Sequence, residues 1–191
     1  KLDSLGIPTM NGKHYHPGYP QGIWLNSKGK RYCNEYWGPI EFRGRPALQM
    51  DRDGFYAIYD SKLPEYLEYT VPSHGSTYAS EENIQSVRDN LAEVLSAGKD
   101  GVQGHDLSAT FTRYGAETLD ELLDMVCSDD AVKASIKASI ERYNELCDKQ
   151  RDEDFGREGN LMFPVREGPF FCDVKPSEIG WMMCTCGGLV I

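Results

Sequence analysis

Four short stretches of the sequence carry side chains suited to chemistry. His14-Tyr15-His16 puts two imidazoles on one side of an extended segment, the spacing of a metal hook. No third ligand stands nearby in sequence, so no metal site is expected there. Cys184-Thr185-Cys186 offers two thiols one residue apart. A disulfide across that gap closes a strained ring, which sets a redox or metal role against the simpler reading of two packed thiols. Gly187-Gly188 follows and admits a close backbone approach by a ligand, or else a tight turn before a strand. Arg43 and Arg45 lie on a Pro- and Gly-rich stretch after Glu35. A guanidinium is a planar fork that grips a carboxylate in a dry cleft; on a loop it is equally a solvated group pairing with Glu41. The Tyr, Trp and Phe residues between 15 and 59 form either a binding wall or ordinary core packing.

The chain that must position these groups has 191 residues, enough for one sizeable core or at most two small ones. Its 40% apolar and 11% aromatic content excludes disorder as a whole-chain description. A net charge of −10 disfavours sequence-independent binding to nucleic acid and docking on an anionic membrane. No apolar run approaches the roughly 18 to 20 residues needed to span a bilayer, and no charged-then-apolar leader opens the chain. The sequence starts at Lys1 and stops on the apolar run Gly187 to Ile191, which reads as a piece excised from a longer protein. Six Cys without a Cys-x-x-Cys spacing point to neither a disulfide scaffold nor a zinc site. Cys127 and Cys147 fall in helical patterns, where a thiol is a small buried hydrophobe.

Hydrophobic spacing lays out the elements. Ile23-Trp24-Leu25, a turn at Asn26 to Lys30 with Gly29, and Arg31 to Asn34 read as a hairpin. Phe55 to Tyr59 is a short strand ending at Asp60, and Leu63 to Tyr69 a short helix. Ser80 caps a helix with its stripe at Ile84, Val87, Leu91, Val94 and Leu95, stopped by Gly98. Residues 98 to 105 read as a Gly-rich loop. Thr118 and Glu121 form a capping box ahead of Leu119, Leu122, Leu123 and Val126. Ser128 is the expected cap of a longer helix whose stripe is Val132, Ile136, Ile140, Tyr143 and Leu146 or Cys147. Residues 151 to 161 are polar loop, 169 to 174 a strand, and 189 to 191 a closing strand. The sum is α+β, short strands interleaved with amphipathic helices. Gly98, Gly101 and Gly104 have the wrong spacing for a dinucleotide-binding turn.

The segment from Gly22 to Glu35 has a fuller pattern: an apolar strand, Asn26, Gly29, Lys30-Arg31, an aromatic, then Asn34-Glu35. It resembles the hairpin of the FAD-dependent fumarate reductase and succinate dehydrogenase type of flavoprotein. Phe55 to Asp60, Glu117 to Leu122, Ile140 to Leu146, Asp152 to Gly156, Pro169 to Phe171 and Thr185 to Ile191 resemble further stretches of that family, in the same order. The matches cover about 22–60 and 116–191; residues 61–115 match nothing recognisable.

The resemblance implies the family's substrate-capping domain. Residues 1–21 would connect from an FAD-binding part, 22–180 would form the cap, and 181–191 would return towards that part. The cap would close over FAD held by the FAD-binding domain of the same chain. Hydride would pass between flavin and an activated carbon–carbon double bond, with Arg43 or Arg45 as the catalytic arginine and Gly187 and Gly188 against the cofactor. An electron-donor protein or a haem domain is the implied partner, in a bacterial protein either cytoplasmic or exported. The isolated piece is expected to be inactive. Two departures bear on substrate. Cys184, with Met183, stands where the fumarate reductases place a carboxylate-binding His beside the run starting at Thr185, and His14 and Tyr15 stand where they place a Thr-Glu pair. These softer groups suit a bulkier or singly charged unsaturated acid or enone rather than fumarate. Tyr15, Tyr36 or His14 would then share the acid role. A stand-alone module for a small ligand or metal is the alternative reading.

Overall fold

The structure, a computed structural model, describes residues 9–10, 13–14, 21–35, 55–68, 81–106 and 109–175. Its centre is a five-stranded antiparallel sheet. The strands are β3 (Ile23–Asn26), β4 (Phe55–Asp60), β5 (Val102–Asp106), β6 (Ala109–Ala116) and β7 (Phe170–Lys175), in the order β3-β4-β7-β6-β5. A two-stranded pair, β1 (Thr9–Met10) and β2 (Lys13–His14), lies apart from it in the pairing. The helices are α1 (Leu63–Glu68), α2 (Glu81–Ala97), α3 (Leu119–Val126) and α4 (Asp130–Lys149). This is the α+β class expected from the sequence.

The alternation of side chains along the strands sends residues to two cores. Ile23, Leu25, Ile58 and Cys172 meet Leu122 and Leu123 of α3 and Ile136, Ile140, Tyr143 and Leu146 of α4. One residue along, Tyr59 and Phe171 point the other way and pack with Leu63 and Leu67 of α1 and Ile84, Val87, Leu91 and Val94 of α2. The sheet is therefore the shared middle layer, with a helix pair on each face. Gly115 keeps the second face closed: a Cβ there would sit 2.9 Å from the Phe171 ring and 3.3 Å from Val94 Cγ1.

A buried ion pair sits within the second face. Arg113 on β6 donates from Nε and Nη2 to both carboxylate oxygens of Asp173 on β7, at 2.6 and 2.9 Å. Its Nη1 donates to Asn90 Oδ1 of α2 at 2.8 Å, and Tyr59 OH donates to Asp173 Oδ1 at 3.0 Å. Both charged side chains are fully excluded from solvent. The bidentate geometry and the two neutral partners satisfy groups that would otherwise make burial prohibitive.

Several expectations are corrected. The hairpin's return arm is not a strand: Arg31 makes one isolated bridge to Leu25, and the ladder partner of β3 is β4. Residues 98–105 are not a loop throughout, because a short 3-10 turn at Gly98–Asp100 leads into β5. The cap of α4 is Asp129 rather than Ser128; its carboxylate accepts from the Ala131 and Val132 N–H groups. Cys127 ends α3 half-buried, while Cys147 is buried on α4. The Thr118–Glu121 capping box is reciprocal, as the spacing predicts. Residues 176–191, including the closing strand, and Ser80 lie outside the described residues.

Removing one member of the Arg113–Asp173 pair strands the other charge. Arg113→Met should cost about 3–5 kcal/mol of unfolding free energy in a urea titration, whereas Gln85→Ala, on an exposed position of α2, should stay within about 0.5 kcal/mol.

Candidate functional site

The segment from Gly22 to Glu35 leads into the stretch that carries Arg43 and Arg45, and its turn is held by specific contacts. Asn26 Oδ1 accepts from the N–H groups of Lys28 and Lys30, at 3.0 and 3.1 Å, which closes the turn. Gly29 has φ +72°, and a Cβ there would lie 2.7 Å from Ile136 Cγ1. Its carbonyl accepts from Ser139 Oγ at 2.7 Å, so the turn is seated directly on α4. A Cβ on Gly22 would run into the Ile58 carbonyl oxygen of the neighbouring strand. The glycines and the Asn of the pattern are thus demanded by the turn and by close packing.

The charged residues of the same pattern build a second buried cluster. Arg31 donates to Glu35 through Nε and Nη2, both at 2.8 Å. The same guanidinium donates to Asp152 through Nη1 at 3.0 Å and Nη2 at 2.9 Å. Arg157 Nη1 donates to Glu35 Oε2 at 3.1 Å, and its Nε to the Leu161 carbonyl at 2.8 Å. The Trp24 N–H reaches Glu35 Oε1 at 3.2 Å. Asp152 also accepts the backbone N–H groups of Asp154, Phe155 and Arg157. The Arg31 guanidinium lies 5.0 Å from the ring centroids of both Tyr143 and Phe155. The side chains of Glu35, Asp152 and Arg157 are wholly buried and that of Arg31 nearly so.

Electrostatics follows from this arrangement. Burial works against the Arg31 charge, but hydrogen bonds and attraction from Glu35 and Asp152 outweigh it and hold the guanidinium above its ordinary range. Burial alone would raise the Asp152 carboxyl; the hydrogen bonds and charge of Arg31 and the backbone donors bring it below the usual carboxylate value. Burial pushes the Cys33 and Tyr143 side chains up, and the Cys147 thiol up to about 11. These thiols are therefore protonated at neutral pH and are not activated nucleophiles.

The sequence-derived site residues fall mostly outside the described residues: Arg43, Arg45, Tyr15, Tyr36, Cys184, Thr185, Gly187 and Gly188. Their points of attachment are described. The stretch 36–54 leaves from Glu35, which is tied to Trp24, and ends at Phe55, which is paired with Asn26 two residues along the same strand. Phe55 is also the register partner of Lys175, from which 176–191 departs. The arginine stretch and the Cys184–Gly188 stretch thus attach to neighbouring points at one end of the sheet. His14 lies on β2, paired with Thr9, and the small sheet sits against α2 and beside β5. That is the sheet edge opposite β3. Among the described residues no cluster of His, Cys, Asp and Glu could hold a metal ion, and no helix is long and apolar enough to cross a membrane.

Asp152 and Arg157 were hidden in what the sequence presents as a polar loop. The usable signal was the joint presence of the Gly22–Glu35 and Asp152–Gly156 patterns, since Arg31 and Asp152 are 121 residues apart in sequence and in direct contact.

No family model matches the chain. Among curated proteins, digoxin reductase from Eggerthella lenta is 35% identical over 161 residues, which is 83% of this chain and 24% of that protein. Among solved structures, the 3-ketosteroid delta1-dehydrogenase of Sterolibacterium denitrificans superposes with a TM-score of 0.53 at 18% identity, over 90% of this chain and 31% of that one. The open conformation of a flavocytochrome c3 fumarate reductase gives 0.50 at 15% identity, over 81% and 21%. This chain is similar to part of a longer reductase and shares the fold of a domain in the fumarate reductase type of flavoprotein. It spans about a quarter of the length of the curated relative it matches.

The cluster predicts an acid-sensitive stability. The folded-state value of Asp152 is depressed, so its contribution is present above the unfolded value, about pH 4, and is lost as pH falls through the lower folded value. Asp152→Asn should lower the unfolding free energy at pH 7 by about 3–5 kcal/mol and make its decline towards acid pH shallower, as measured by urea titrations along a pH series.

Proposed function

We propose that this chain is the substrate-capping domain of an FAD-dependent oxidoreductase that transfers a hydride between flavin and an activated carbon–carbon double bond. In this reading residues 1–21 connect from the FAD-binding part, 22–180 form the cap and 181–191 lead back. The observation that carries it is the alignment of most of this chain with a quarter of a much longer reductase.

The described residues do not fit FAD as a cradle of their own. Every pairing in the five-stranded sheet is antiparallel, whereas a dinucleotide site needs a parallel strand, a Gly-rich turn and a helix N-terminus at the pyrophosphate. FAD therefore belongs to the remainder of the parent, where it supplies the hydride. The cap's share is to bind, orient and protonate. Arg43 or Arg45 would lie against the substrate's carboxylate or carbonyl and neutralise charge developing there. The carbon that does not receive hydride takes a proton. An arginine serves as that acid only if a relay restores its proton, because its pKa lies above about 12; Tyr15, Tyr36 or His14 could share the task. The seat of β2 against α2, in the small sheet whose other strand lies beside β5, makes His14 the least favoured of the three. Cys184 and Thr185 would line the substrate pocket, with Gly187 and Gly188 beside the cofactor. The neighbouring attachment points at Phe55 and Lys175 support bringing these stretches together.

Substrate follows from the softness of those groups. An unsaturated acid with one charge, or a bulky enone, suits Cys184, His14 and Tyr15 better than fumarate does. The steroid named in the structure of the Sterolibacterium enzyme, 1,4-androstadiene-3,17-dione, belongs to the enone class.

Two measurements test this. The chain alone should leave FAD fluorescence unquenched at micromolar concentrations while the parent carries bound flavin; micromolar binding with turnover by the chain alone would overturn the reading. In the parent, Arg43→Ala or Arg45→Ala should slow reduction of the best substrate among fumarate, cinnamate and 1,4-androstadiene-3,17-dione by about 100-fold or more, with flavin content retained. Fumarate emerging as the best of the three would refute the substrate assignment.

A further inference from the structure

We infer that residues 151–158 form a latch, which docks on the 22–35 segment and releases from it as one preassembled unit. The loop leaves α4 after its cap Gln150 and returns at the short 3-10 turn Gly159–Leu161. Gly159 lies against the Gln150 carbonyl, so the two ends of the loop meet. Compact loops of this kind are packed by their own side chains, and one can lift without moving the elements on either side. None of residues 148–161 belongs to either apolar core.

The buried cluster divides along the same line. On one side, Arg31 Nε and Nη2 donate to Glu35 at 2.8 Å each, and Trp24 N–H adds a bond at 3.2 Å. On the loop, Asp152 accepts the N–H groups of Asp154, Phe155 and Arg157 at 3.1 Å each, and Arg157 Nε donates to the Leu161 carbonyl at 2.8 Å. Each half thus supplies one cation and one anion and keeps bonds of its own when apart. The bonds that join the halves run from Arg31 Nη1 and Nη2 to Asp152, at 3.0 and 2.9 Å, and from Arg157 Nη1 to Glu35 Oε2 and the Gly22 carbonyl, at 3.1 and 3.3 Å. Phe155 covers the joint, with its ring centroid 5.0 Å from the Arg31 guanidinium. At 37% exposure it is the one exposed large hydrophobic among the described residues. Further ion pairs of the loop, from Arg142 and Lys149 to Glu153 and from Arg142 to Asp154, lie at the surface and contribute little.

Separating the halves strands no single charge, whereas removing one residue does. A loop with no apolar anchor in either core and no uncompensated charge to leave behind opens at a lower free energy than the sheet. Release uncovers the Nη1 and Nη2 groups of Arg31 and the Tyr143 ring over which Arg157 lies, 5.7 Å from its centroid. Arg113 supplies an internal standard. It is wholly buried too, but its partners are Asp173 on β7 and Asn90 on α2, so it is reached only when the sheet itself comes apart.

The test is arginine labelling of the full-length parent with phenylglyoxal, read residue by residue by peptide mass spectrometry. Arg31 and Arg157 should be modified at rates that agree within about twofold and change little as urea is added up to about 2 M. Arg113 should be modified far more slowly, with a steep dependence on urea. Phe155→Ala should speed modification of Arg31 and Arg157 about 3- to 30-fold and leave Arg113 unchanged. Asp152→Asn combined with Arg157→Met removes the loop's half of the cluster as a neutral pair, so it should lower Tm less than Asp152→Asn alone. Modification of Arg31 in step with Arg113 in the wild type overturns the latch, as does modification of Arg157 without Arg31. A Tm loss in the double variant at least as large as that of Asp152→Asn overturns the division into neutral halves and the latch with it.

Discussion

The architecture depends on a cluster of two cations and two anions placed where water does not reach. Arg31, Glu35, Asp152 and Arg157 have no net charge as a group, and each side chain has at least two polar partners. Burying any one of them alone would be ruinous; burying the set is tolerable because the charges are paired and hydrogen-bonded to one another and to the backbone. Such a cluster is a poor source of net stability and a strong source of specificity, since few other arrangements satisfy all four. It ties the Gly29 turn, the loop after α4 and the aromatic face of Tyr143 into one body. Three of the stretches that resemble the flavoprotein family, Gly22–Glu35, Ile140–Leu146 and Asp152–Gly156, meet at this cluster in three dimensions.

That observation changes what the resemblance means. The Gly22–Glu35 pattern carries the recognition, yet its residues serve the fold: Gly22 and Gly29 permit close approach, Asn26 closes the turn, Arg31 and Glu35 make the cluster. A pattern can mark a family through its scaffold without containing the groups that do the chemistry. This is why the motif is a firmer guide to fold than to site residues.

The sequence was legible where one period dominates. The stripes of α2 and α4 and the capping box of α3 follow directly from 3.6-residue spacing and local hydrogen bonding. It was not legible where a glycine serves packing instead of a turn. Gly104 reads as part of a loop, but the Phe111 ring occupies the space its Cβ would take, which makes it a strand residue. The return arm after Gly29 reads as a strand by its Arg-aromatic-Cys pattern, but the ion pairs of Arg31 and Glu35 take precedence over ladder bonds. Arg113, Asp173 and Asn90 gave no signal at all, because burial of a charge is decided by partners brought from 23 to 60 residues away. The candidate site residues, by contrast, were chosen from chemistry and resemblance, and the contribution of the structure is to their points of attachment.

Those points narrow where a ligand can be met. Helix pairs cover both faces of the sheet, and both faces are filled by side chains. Among the described residues, the ends and edges of the sheet are therefore what the helices leave open. In an antiparallel sheet, the start of one strand lies beside the end of its neighbour, so the stretch entering β4 at Phe55 and the stretch leaving β7 at Lys175 are neighbours by topology, whatever their intervening lengths. The turn at Asn26 to Lys30 lies at the same end, clamped to α4 through Gly29. That end of the sheet combines the turn, the attachment points of 36–54 and 176–191 and, through Arg31 and Glu35, the buried charge cluster.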